Sequence, residues 1–295
     1  MILVLFFCLI GFTYGTTEYS DDFARNYMFP LSAASYSDDP EQCLNRLFPN
    51  STLQRQVVIQ CDSFRKDTCS GYTAVLHNEK AIVLSFRYFI CLLLFTFRGT
   101  IRFWQLFEEI EKSVFVNWSN WLFGGRISKY FHDGFQKIWD AGMSRDYFAL
   151  KNKYPEYQIW VTGHSLGGSM ASLAASFLIG SEFAKPSEIK LITFGQPRTG
   201  DLQFSITHNT QLEYSFRVTH WRDIVPHIPF EIVVHYFHHR SEAFYRYNMT
   251  ADSVTVCSGS EDRRCSDGLW FTGSIAEHRN YFGKDVYNYG FSNCV

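Results

Sequence analysis

Residues 158–176 read Q-I-W-V-T-G-H-S-L-G-G-S-M-A-S-L-A-A-S. Ile159, Trp160 and Val161 form an apolar run with the character of a buried strand, and Gly167, Gly168, Ala171, Ala174 and Ala175 supply the small face of a helix. Between them lies G-x-S-x-G, as Gly163-His164-Ser165-Leu166-Gly167. A strand, a sharp turn on a serine and a small-residue helix make a nucleophile elbow. The turn pushes the hydroxyl out of the backbone, and glycines on either side let neighbouring main chain approach without a Cβ clash. The helix starts at the serine, so its free N–H groups face any negative charge that forms there. A phosphate-binding loop is excluded because no lysine follows the last glycine.

Working outward, strand-like runs at 72–76, 81–86, 158–162, 189–194 and 214–219 alternate with helical stretches at 103–115, 133–154 and 165–179. Alternation of this kind predicts an α/β fold with a mostly parallel central sheet flanked by helices, its functional loops at the carboxyl ends of the strands. A polar, cysteine-bearing region extends to about residue 70. No internal repeat or low-complexity linker divides the chain, so residues 16–295 read as a single domain.

A serine hydroxyl needs a base, and in this fold the order is Ser, then Asp or Glu, then His. Asp223 follows the run 214–219 and precedes Pro226, which places it on a loop at a strand's carboxyl end. Asp252, Asp262 and Asp267 lie in polar, cysteine-flanked sequence without such a placement. The eligible histidines, those beyond Asp223, are His227, His235, His238, His239 and His278. Position, late in the chain and before Tyr281-Phe282, favours His278 only modestly. His235, His238 and His239 form H-x-x-H-H, which reads as core or surface histidines in a β-rich run rather than a metal site.

The net charge of -2 argues against nucleic acid as a partner, because phosphate binding needs a basic surface. Residues 1–15, MILVLFFCLIGFTYG, read as a secretory signal peptide and are too short to span a membrane. Six cysteines besides Cys8 and Cys91 (Cys43, Cys61, Cys69, Cys257, Cys265 and Cys294) form an even set, as expected of disulfides in an exported chain. Sequons at Asn50, Asn117 and Asn248 are candidate glycosylation sites. Together these predict a secreted, extracellular protein.

At these residues the chain resembles the class 3 (fungal-type) lipase family of the α/β-hydrolase superfamily. The resemblance is carried by FRGT at 97–100, FHDGF at 131–135, VTGHSLGGSMASL at 161–173, TFGQPRTGD at 193–201, THWRDIVPHIP at 219–229 and EHRNYF at 277–282. It implies a triad of Ser165, Asp223 and His278, with Thr100 and Leu166 as oxyanion-hole donors and no cofactor. It also implies disulfides Cys43–Cys294, Cys61–Cys69 and Cys257–Cys265, where sequence alone permits fifteen pairings. The function it implies is that of a secreted serine esterase acting on lipid carboxylic esters, triacylglycerols foremost, at a lipid–water interface. A phospholipase A1 or small-ester esterase is the alternative within the class. A catalytically impaired lipid-binding protein is the alternative outside it.

One stretch departs from the family pattern. The chain reads AIVLSFRYFICLLLFTFRGT at 81–100, where the family would read AIVLSFRGT. Phe-Arg occurs twice, and removal of 88–98 restores the expected strand. The Phe- and Leu-rich insert has the composition of a translated pyrimidine-rich intron end. Residues 101–116 come next, where the family carries a lid, and include Phe103, Trp104, Leu106, Phe107 and Phe115.

Overall fold

The computed structural model describes residues 18–61, 68–89, 114–229 and 235–295. The signal-peptide assignment, Thr100, Cys91 and most of the insert and lid segments lie outside these residues.

The strands of the central sheet are β1 (Ser51–Gln60), β2 (Thr68–Leu76), β3 (Ala81–Phe89), β6 (Gln158–His164), β7 (Ile189–Phe194), β8 (Tyr214–His220), β9 (Glu242–Tyr245) and β10 (Val254–Cys257). They lie side by side in the order β1-β2-β3-β6-β7-β8-β9-β10, eight strands among the described residues. The hairpin of β4 (Trp118–Asn120) and β5 (Arg126–Ser128) stands apart. β3, β6, β7, β8 and β9 are parallel, and antiparallel β1, β2 and β10 complete the edges. Parallel strands need both faces covered, and alternate residues do serve opposite faces. Leu84, Phe86, Ile159 and Val161 join the core formed with Phe131, Phe135 and the helix Leu166–Gly180. Val83 and Trp160 join the other core, with Phe29, Leu31 and Tyr36.

The polar region before residue 70 contains the helices Phe29–Ala34 and Pro40–Leu47 and all of β1. β1 is an edge strand: Gln54, Arg55 and Gln56 precede its one apolar run, Val57-Val58-Ile59. The helix expected over 133–154 is broken. Gly142, at φ 140, lies inside the π-helical stretch Trp139–Met143 and breaks the path from Lys129–Ile138 to Ser144–Lys153.

Cys43–Cys294, Cys61–Cys69 and Cys257–Cys265 are all bridged. The first ties the helix Pro40–Leu47 to the carboxyl-terminal end across 251 residues. The other two each close a separation of eight. No described helix is long and apolar enough to cross a membrane.

Candidate active site

β6 ends at His164, and the next residue turns the chain. Ser165 sits at φ 59, ψ -132, a region that costs a non-glycine residue of order 1–3 kcal/mol and persists only where surroundings enforce it. The enforcement is visible. The Ser165 N–H donates to the Phe194 carbonyl at the end of β7 (2.8 Å), and the Ser165 carbonyl accepts from Gly168 N–H (2.9 Å). A Cβ on Gly163 would lie 2.3 Å from the Gly167 carbonyl oxygen, so only glycine lets the elbow fold back on its own strand. Leu166 opens the helix, where backbone N–H groups lack intrahelical acceptors.

β6, β7 and β8 are parallel, so Ser165, Gly195 and the turn containing Asp223 emerge on one rim of the sheet. The remaining partner comes from the helix Ile275–Arg279, late in the chain. His278 Nε2 lies 2.9 Å from Ser165 Oγ, and His278 Nδ1 lies 3.0 Å from both carboxylate oxygens of Asp223. All three side chains are buried. The Val225 N–H (2.9 Å) and the Tyr281 hydroxyl (2.7 Å) also donate to Asp223. Burial alone would raise its pKa. Charge on His278 and the hydrogen bonds from His278, Tyr281 and Val225 outweigh it, so Asp223 is held below the ordinary carboxylate value. An ionised Asp223 facing Nδ1 keeps the proton there and leaves Nε2 as acceptor for the serine hydroxyl. Such an arrangement can remove the proton as the hydroxyl attacks an acyl carbon.

Several contributors are not legible in the sequence alone. A Cβ on Gly195, at φ 58, would lie 2.9 Å from Asp223 Oδ2 and from the His278 ring, so this glycine of TFGQPRTGD makes room for the Asp223–His278 contact. His164, fully buried, donates from Nε2 to the His278 carbonyl (2.8 Å) and accepts at Nδ1 from the Tyr36 hydroxyl (3.0 Å). Its ring stacks on that of His278 at 4.5 Å. Burial, then charge on His278, lowers its pKa to about 3, so His164 is neutral. The motif positions of Gly195 and His164 are the available signal; Tyr36 offers none.

The other histidines lie elsewhere. His238 donates to the Pro226 carbonyl (2.7 Å). His239 donates to the Arg240 carbonyl (3.2 Å), accepts from the Gln196 amide (3.0 Å) and stacks on His208. His235 is exposed and His227 faces Asp267. Among the described residues no group of three His, Cys, Asp or Glu is arranged to hold a metal ion. Asn50, Asn117 and Asn248 are exposed.

Over 332 aligned residues the chain is 32% identical to a lipase of Caenorhabditis elegans, with 99% of this chain and 89% of that protein covered. Residues 94–233 match the family described as lipase (class 3). The chain belongs to the class 3 lipases. It is therefore a carboxylic ester hydrolase on the α/β-hydrolase fold. A Rhizomucor miehei lipase is 34% identical over 163 residues, spanning 54% of this lipase and 44% of that protein. The crystal structure of a lipase from Rhizopus microsporus var. chinensis superposes with a TM-score of 0.75 at 23% identity, covering 94% of this chain and 91% of that one.

Proposed function

We propose that this lipase cleaves acylglycerol esters, triacylglycerols foremost, through an acyl-enzyme on Ser165. The observation that carries the reading is the continuous contact from Ser165 Oγ through His278 to Asp223. As Oγ attacks the ester carbonyl, His278 takes its proton, and Asp223 holds the tautomer and stabilises the imidazolium. The tetrahedral oxyanion is met by the Leu166 N–H and by Thr100, which lies outside the described residues. Collapse expels the alcohol, which leaves with the proton from His278. Water, deprotonated by His278, then attacks the acyl-enzyme and releases the fatty acid. No cofactor takes part. A Fusarium solani relative, 33% identical over 196 residues and matched over 56% of its length, is named a secreted mono- and diacylglycerol lipase, which supports the substrate class. Three disulfides and the apolar leader at 1–15 support secretion into an oxidising compartment. The lid-like segment 101–116 supports action at a lipid–water interface, with a jump in rate once substrate forms droplets.

The test is labelling with an alkyl phosphonate ester, followed by peptide mapping. A single adduct on Ser165, lost with hydrolysis of both short- and long-chain esters, is expected. Ester hydrolysis that survives without a Ser165 adduct overturns the assignment. A second reading, a lipid-binding protein with impaired catalysis, is favoured by one observation: β3 runs on through Tyr88, where the family pattern has Gly-Thr. Purified protein that binds lipid but forms no phosphonate adduct would establish it.

A further inference from the structure

β8 and β9 run parallel to β6, so the turns after them open on the same rim as Ser165. Trp221 and Arg222 come after β8, and Arg246 and Tyr247 after β9. Leu269, Trp270 and Phe271 lie beside them, and together these residues line a depression of about 280 Å³. Its rim is aromatic and exposed: Trp270 stands fully in solvent, and Tyr247 and Phe271 are 62% and 54% exposed. Its charge is uniformly positive, since the lining contains two arginines and no carboxylate. Arg25, Arg126, Arg198, Arg264 and Arg279 each pair with a carboxylate. Among the described residues, Arg222 and Arg246 have no carboxylate within 4 Å; they lie over the rings of Trp221 (4.9 Å) and Phe244 (5.7 Å). The patch is tied to the candidate active site by backbone. Gly273 and Ser274 N–H groups donate to the Arg222 carbonyl, and Ser274 bridges to Asp223.

Exposed tryptophan and tyrosine suit a headgroup layer, where the ring is half-buried and its polar edge stays wet. Unpaired arginine suits the phosphate or carboxylate of that layer. We infer that this patch docks the enzyme on lipid surfaces that carry anionic headgroups, and so sets Ser165 over the interface. The second half of that statement rests on the proposed role of Ser165; the docking itself does not. Hydrolysis of lipid esters releases carboxylates into the surface, so each turnover adds the charge that Arg222 and Arg246 recognise. Recruitment then strengthens as the reaction proceeds.

Docking is read without turnover, by sedimentation with vesicles of phosphatidylcholine alone or mixed with phosphatidylglycerol. Failure of docking is thereby separable from failure of the Ser165 assignment. Tighter binding to the mixed vesicles is expected, weakening as salt is raised. Arg246→Gln and Arg222→Gln should each lose about fivefold on mixed vesicles and little on neutral ones, the size expected for one basic residue near an anionic surface. Trp270→Ala should lose affinity for both. Unchanged melting temperatures will show that the variants are folded. The sequon at Asn248 adjoins Tyr247, so Thr250→Ala, which abolishes it, should bind at least as well. Equal binding to the two vesicle types, parental binding by both arginine variants, or loss of binding in Thr250→Ala would each overturn the inference.

Discussion

β3 and β6 lie side by side in parallel register, Phe86 opposite Gly163, and they leave the sheet in different ways. β6 stops at His164, and Ser165 reverses the chain into a helix. β3 runs on through Arg87 and Tyr88 to Phe89, with Tyr88 still opposite Cys69 of β2. The elbow is written in its own residues: a serine able to sit at φ 59 and glycines that leave room for the fold-back. The end of β3 depends on the residues beyond it, and there the chain offers two Phe-Arg copies. Among the described residues the sheet takes the first, at the end of the strand 81–89, whereas the match to the family begins at residue 94, just before the second. A local motif is robust to its surroundings; a strand end set by the residues that follow it is not.

The largest effect should come from the elbow. Ser165→Ala is expected to cut ester hydrolysis by about a million-fold, and His278→Ala comparably, with the fold intact by circular dichroism. His235, which is exposed, is the control, and its replacement by alanine should leave turnover near parental. Near-normal hydrolysis by Ser165→Ala would remove the basis of the comparison.

The opposite side predicts a gain. One oxyanion donor is worth about a hundred- to a thousand-fold in turnover. A protein that joins Arg87 to Gly99 places Gly-Thr directly after the first Phe-Arg copy, where Tyr88 now stands. That shortened protein should hydrolyse esters faster, by up to about a hundredfold, and be secreted better. Transcript sequencing should find it to be the major form. Equal activity and secretion, with only long transcripts present, would make the insert a working part of the enzyme.

The helix that follows the elbow also touches β3. A Cβ on Gly167 would lie 2.3 Å from the Phe86 carbonyl oxygen and 3.0 Å from Arg87 Cα, which is backbone and cannot swing away. Gly167→Ala should therefore destabilise the protein by about 1–3 kcal/mol. Displacing Ser165 from His278 by about 1 Å should lower turnover on a soluble ester by about a hundredfold. Parental melting and parental turnover together would show that the elbow does not depend on this contact.

These contrasts explain how much is legible in the chain itself. The elbow, the parallel strands and the placement of Asp223 come from short-range pattern. The proposed base does not, because 113 residues separate His278 from Ser165 and only the sheet's topology brings them together. The seat that Gly195 gives the Asp223–His278 contact and the Tyr36–His164 support behind His278 are tertiary for the same reason. β1 escapes a pattern reading because an edge strand needs one apolar face only, and Gln54, Arg55 and Gln56 precede its one apolar run. Disulfide pairing comes from the family resemblance; six cysteines alone leave fifteen choices.

The smallest expected effect separates support near the elbow from ordinary burial. His164, at the end of β6, and His208, in the helix Leu202–Gln211, are both fully buried. Both have pKa values lowered from 6.5 to about 3, first by burial and then by nearby positive charge, on His278 and Arg217 respectively. Between those two pH values the unfolded chain binds a proton at each position and the folded chain does not, so folding stability must fall as the pH falls. The slope is at most about 1.4 kcal/mol per pH unit for each histidine. His208→Asn should be less stable than the parent at neutral pH and lose stability less steeply in acid, so the two stability curves converge towards pH 3. His164→Asn should flatten the curve in the same way. It should also lose turnover, because the His278 carbonyl and ring lose the partner that holds them. Urea unfolding across the pH range, paired with kcat on a soluble ester, distinguishes the cases. A parental slope in both variants would show that neither imidazole is held neutral. A His164→Asn enzyme with the flattened slope but full kcat would show that the base keeps its place without it.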